Sequence, residues 1–147
     1  MKTTREILAR LPYSEPFLFV DEILDVNENG IKGTFFFDRS LDFYRGHFAD
    51  NPVTPGVILT ECMAQIGLVC LGIFLLQDSF NSEFSIALTS SEMEFIKPVF
   101  PDEKVTVVST KKYFRFNKLK CQVEMRNENG EIVCSGMIAG IIKNCTT

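Results

Sequence analysis

The 147-residue chain has no tryptophan and a single histidine, His47. One imidazole is too few for a conventional His-based metal site, which draws on two or three. The five cysteines (Cys62, Cys70, Cys121, Cys134 and Cys145) are odd in number and contain no Cys-x-x-Cys pair. That usage favours free thiols in a reducing cytosol over a disulfide framework or a zinc site. An excess of positive charge is also missing. Fifteen Lys and Arg against nineteen Asp and Glu give a net charge of -4, without the electrostatic footprint of a nucleic-acid binder. No long polar or repetitive tract suggests disorder. The opening stretch "MKTTREILARLPYSE" lacks the apolar core and cleavage site of a signal peptide. The expected setting is cytoplasmic.

What is present is apolar and aromatic. Hydrophobic residues make up 46%, with fourteen Phe, which points to a large apolar interior or pocket. The length suits one domain over residues 1–147. Residues 1–10 read as a short helix, then 17–26 and 31–38 as two strands joined by the turn "NENG". "TPG" at 54–56 reads as a helix start, with Thr54 capping and Pro55 at the first helical position. The helix then runs to about Leu76. Beyond it the pattern is β again: 84–89, 92–96, 105–114, 116–126 and 132–142, with a second "NENG" between the last two.

The helix decides the architecture. From Val53 to Leu76 the only charge is Glu61, so the helix is apolar nearly all round. Its length would cross a bilayer, but a carboxylate at membrane depth costs about 2.5–3.5 kcal/mol. Enclosure by protein, without membrane insertion, is the better solution. An antiparallel sheet wrapped around one long central helix, an α+β hot-dog fold, satisfies every segment.

Glu61 lies beyond the first turn, where the helix dipole favours carboxylates, and its neighbours one turn away are Ile58 and Gln65. A carboxylate in such surroundings must be paired, for example with Arg45, or protonated, or must face a cavity. His47 lies fourteen residues earlier on an irregular stretch. An imidazole is mostly neutral at cellular pH and can take a proton, and a carboxyl whose pKa is raised by apolar surroundings can give one.

The stretch "GHFADNPVTPGVILTECMAQ" resembles the active-site signature of the (3R)-hydroxyacyl-acyl-carrier-protein dehydratases, a hot-dog family of fatty-acid synthesis. Gly46, His47, Phe48, Pro52, Val53, Pro55, Gly56, Val57, Glu61, Met63, Ala64 and Gln65 match in register. "LPYSEPFLFVDEIL" and "EFIKPVFPDEKV" resemble two further family segments, so the likeness spans roughly residues 11–109. Ala49, Thr54, Cys62 and Asp102 depart from the pattern, and Tyr13 stands where the family often has another His.

The resemblance implies dehydration of (3R)-3-hydroxyacyl thioesters to trans-2-enoyl thioesters, a hydro-lyase reaction with no cofactor and no metal. It makes His47 the base at C2 and Glu61 the acid at C3. Gly56 and Val57, at the positive end of the helix, would receive the thioester oxygen. Gln65, Phe48 and Thr54 would support them. Phe43, Ile58, Phe95 and Phe100 are candidates for an acyl tunnel. The family also implies a homodimer, or a trimer of such dimers, with His and Glu from opposite subunits. The basic run "KKYFRFNKLK" offers Lys111, Lys112, Arg115 and Lys118 as a dock for the acyl carrier protein and its phosphopantetheine arm. Alternatives are a hot-dog acyl thioesterase or a non-catalytic acyl-binding subunit. Related isomerases favour Asp at the helix position, so Glu61 fits simple dehydration.

Overall fold

Both "NENG" stretches turn by the same local device. The Asn27 side chain accepts from the Asn29 N–H at 2.7 Å, and Asn127 accepts from Asn129 and Glu131 at 3.0 Å each. Asn supplies this side-chain mimic of a turn, and Gly130 adds a φ of +79° that few other residues tolerate. The first turn joins β1 (Glu22–Asn27) to β2 (Gly30–Phe37), and the second joins β5 (Lys118–Arg126) to β6 (Ile132–Asn144). The computed structural model describes residues 3–46, 50–76 and 84–144.

The chain opens with α1 (Thr4–Ala9), capped by the Thr3 hydroxyl on the Glu6 N–H, within the expected 1–10. After a short 3-10 turn (Asp42–Arg45) comes the central helix α2 (Gly56–Leu76), then β3 (Phe84–Phe95) and β4 (Glu103–Arg115). The six strands pair antiparallel in the order β1-β2-β4-β5-β6-β3. This is the expected hot-dog fold.

The helix lies against the sheet because both sides keep small residues at the contact. A Cβ on Gly67 would come within 2.9 Å of Val123 and 3.0 Å of Ser109. The middle of α2, Gln65–Cys70, widens into a π-helix, where the Ser109 hydroxyl donates to the Gly67 carbonyl at 2.8 Å. Such insertions recur near functional sites. Met63, Ile66, Leu71 and Ile73 on the helix meet Phe37, Val107, Leu119 and Met125 on the strands, all fully buried. By length and hydropathy Gly56–Leu76 could cross a membrane, yet 78% of its most apolar window is buried within the protein. It is the core helix of the fold.

Three expectations change. The strand expected from residue 17 begins at Glu22, because Gln65 takes the backbone groups of Phe17 and Phe19 that a ladder would have used. The strands expected at 84–89 and 92–96 are one, broken only by a bulge between Leu88 and Ser90. Thr54 does not cap the helix. Its hydroxyl is held by Tyr44 and its N–H donates to the Val99 carbonyl at 2.8 Å, so Pro55 precedes the first helical residue without a side-chain cap.

Candidate active site

The Pro55 carbonyl accepts from the N–H groups of Ile58 and Leu59 at 2.9 and 3.1 Å. Gly56 and Val57 therefore carry the outermost amides of α2, ahead of the helical ladder and at its positive end. They line a cavity of about 540 Å³ with Thr60, Glu61, Leu88, Ser91, Met93 and Phe95. The Phe95 ring lies over Gly56, where a Cβ would come to 3.2 Å of it. Glycine keeps that amide open to an approaching group.

Glu61 is half-buried in this wall. Burial raises its pKa above the ordinary carboxylate value, and one hydrogen bond from Gln65 opposes the shift. The Gln65 amide donates to Glu61 at 3.0 Å and to the Phe17 carbonyl at 3.1 Å, and its oxygen accepts from Phe19 at 2.8 Å. A fully buried amide with three bonds is fixed in rotamer. It aims the carboxyl. Arg45, a possible ion-pair partner on sequence grounds, sits 3.3 Å from Asp42 instead. Burial first, then the nearby Glu61 charge, pushes the Tyr13 hydroxyl up to about 12. Tyr13 thus belongs to the electrostatic surroundings of Glu61 as a neutral group.

His47 and Phe48 lie outside the described residues, so the expected His47–Glu61 pair has no geometry here. The structure does bring Glu61, Gly56, Val57 and Gln65 together. Thr54 is buried behind them, tied to Tyr44. The four tunnel candidates take different places among the described residues of the protomer. Phe95 lines the Glu61 cavity, whereas Phe43 packs against Tyr44 with ring centroids 4.5 Å apart and Ile58 packs on the core. Phe100 is exposed, its N–H held by Glu103. Leu88, Ser91 and Met93 were not anticipated. Strict alternation puts residues 88 and 91 on opposite faces, and the bulge at Thr89 brings them onto one. No sequence signal marks that bulge. Among the described residues no group of His, Cys, Asp and Glu could hold a metal ion, and Cys62, Cys70, Cys121 and Cys134 are free and buried.

The FabA-like domain pattern matches residues 11–137, most of the chain. The chain belongs to the FabA-like family. Among curated FabA-like relatives, a protein of Caldicellulosiruptor saccharolyticus named 3-hydroxyacyl-[acyl-carrier-protein] dehydratase FabZ is 33% identical, over 97% of this chain and 100% of its own. The Ehrlichia canis protein of the same name is 31% identical, over 95% and 94%. Among solved structures, the dehydratase heterocomplex ApeI:P of Xenorhabdus doucetiae superposes with a TM-score of 0.76 at 12% identity, covering 98% of this chain and 93% of that one. A Haemophilus influenzae thioesterase superposes at 0.72 and 19%, covering 98% and 92%. At such identities the structural neighbours establish the hot-dog fold alone.

Proposed function

We propose that this FabA-like chain removes water from (3R)-3-hydroxyacyl thioesters on an acyl carrier protein, giving trans-2-enoyl thioesters. One observation carries the reading: a half-buried carboxyl, biased toward its protonated form and held by Gln65, faces a cavity beside the amides at the start of α2. The near full-length likeness to proteins named as such dehydratases supports it.

Each residue then has one task. His47 takes the C2 proton as electron density moves onto the thioester oxygen, which the Gly56 and Val57 amides receive. As the C2–C3 double bond forms, the C3–O bond breaks and Glu61 protonates the departing hydroxyl, which leaves as water. The imidazolium proton returns to the Glu61 carboxylate through solvent and closes the cycle. Incubation with a (3R)-3-hydroxyacyl carrier thioester should yield the enoyl thioester. Release of free thiol alone would assign a thioesterase instead.

The reading includes a homodimer. β3 ends the sheet in the order β1-β2-β4-β5-β6-β3, leaving a twelve-residue strand with an open edge. Leu88, Phe95 and Ile96 on or beside it are about half exposed, and nearby Val57 is 76% exposed. A long apolar edge strand invites pairing. Two β3 strands joined antiparallel bury that edge and set each Glu61 cavity against the other subunit, from which His47 enters. Dimers pairing His47→Ala with Glu61→Gln subunits, each inactive alone, should recover about half of wild-type turnover, since one of two shared sites is intact. Silent heterodimers would place both groups in one subunit. A trimer of such dimers and a cytoplasmic location complete the proposal.

Lys111, Lys112, Arg115 and Lys118 are assigned to carrier docking. In one protomer Lys118 of this β4–β5 hairpin aligns through Ile141 with Ala87 near the start of β3. The start of α2 lies against Phe95 at the end of β3, so the two sit at opposite ends of the sheet. The antiparallel β3 pairing reverses the ends, which sets the hairpin of one subunit on the side of its partner's cavity.

A further inference from the structure

The tip of the β4–β5 hairpin is a two-residue turn, Phe116-Asn117, with φ of 51° and 63°. Positive φ at both positions is the turn type that matches strand twist, and it favours Asn and Gly. A bulky aromatic there is uncommon. Phe116 is also 95% exposed, the most exposed large hydrophobic residue among those described, so it adds nothing to the core. Its surroundings are strongly basic. Lys111, Lys112, Arg115, Lys118 and Lys120 fall within ten residues with no acid among them, and the rest of the chain holds ten basic against nineteen acidic residues. Among the described residues none of these five cations is in an ion pair. Arg115 instead lies over the Tyr113 ring, 4.4 Å from its centroid. A bulge between Lys111 and Tyr113 takes Lys112 out of the ladder.

We propose that Phe116 is the apolar anchor of the carrier-docking surface. It seats in an apolar notch of the acidic carrier while the surrounding cations meet the carrier's carboxylates. This deepens the reading above and rests on it. Interfaces concentrate affinity in a few aromatic residues ringed by polar contacts, and complementary charge steers the encounter. An aromatic tip within a cationic collar inside an acidic protein matches an acidic protein partner. An anionic membrane offers the same charge but not the same geometry. Antiparallel β3 pairing requires a two-fold axis perpendicular to the sheet, which carries the two hairpins to opposite ends. Two such tips cannot rest on one flat bilayer.

The test measures binding of the organism's own acyl carrier protein, bearing phosphopantetheine but no acyl group, to the full-length protein. Phe116→Gly suits the left-handed turn and should leave the melting temperature unchanged or raised. It should weaken carrier binding by about 10- to 30-fold without altering the salt dependence, because an apolar contact is lost. Lys111→Glu with Lys112→Glu should weaken binding and flatten the salt dependence. Carrier affinity unchanged in Phe116→Gly would overturn the anchor. So would a wild-type protein that binds phosphatidylserine vesicles through Phe116 and not the carrier. The unacylated carrier separates docking from chemistry: if hydroxyacyl thioesters are not dehydrated while carrier binding depends on Phe116, the activity is wrong and the dock stands.

Discussion

Glu61→Gln should abolish most dehydration, lowering kcat by about 10²–10⁴-fold, the range a positioned general acid contributes. Glutamine preserves the shape and can still accept from the Gln65 amide, so the loss would report the missing proton. The same substitution should stabilise the protein at neutral pH. A carboxyl whose folded pKa is raised holds its proton more tightly folded than unfolded. Its favourable contribution is complete below its ordinary value of 4.5 and disappears as pH rises through the raised folded value. Above that, the native state carries a poorly hydrated charge. Thermal melts should therefore show Glu61→Gln above wild type at pH 7 and level with it near pH 4. In wild type the same titration should bring kcat down on the alkaline side, as the acid loses its proton. Equal melting temperatures at both pH values would mean that Glu61 is well hydrated and unsuited to proton delivery.

Gln65→Met should lower stability by about 2–6 kcal/mol. Methionine fills the space, but the Phe19 N–H and the Phe17 carbonyl lose their partner, and each buried orphan costs about 1–3 kcal/mol. For a chain of this size that is a drop of about 10 °C in melting temperature. Activity should fall further than stability explains, because Glu61 loses the bond that aims it. Gln65→Glu makes a sharper test. It keeps an acceptor for Phe19 but sets a second carboxyl beside Glu61, so that one of the two pKa values rises strongly. Its stability should be better at pH 5 than at pH 8, the reverse of an ordinary surface carboxylate. A Gln65→Met protein as stable as wild type would mean that water replaces the amide.

Much of this site was legible in residue order because its parts are adjacent in the chain. Gly56, Val57, Glu61 and Gln65 occupy one helix, where spacing fixes their relation: residues four apart share a face. An unpaired acid in a charge-free helix also carries its own energetic signature. The cap was misread because Thr-Pro-Gly has the same local chemistry whether or not a distant tyrosine takes the hydroxyl. Tyr44, ten residues upstream, took it. Phe43 packs toward the core cluster around Phe19, and such a contact between distant segments leaves no mark in residue order.

Sequence by itself determined the long core helix, the antiparallel strands around it, the two Asn-led turns and the acid at residue 61. These depend on periodicity, turn chemistry and the cost of an unpaired charge, all of which act over a few residues. Tertiary structure alone decided what faces that acid. A bulge at Thr89 gathers Leu88, Ser91 and Met93 onto one wall, Gln65 ties the helix to Phe17 and Phe19, and β3 comes to lie at an open edge. Such pairings join segments that meet only when the sheet closes around the helix, and no local preference encodes them.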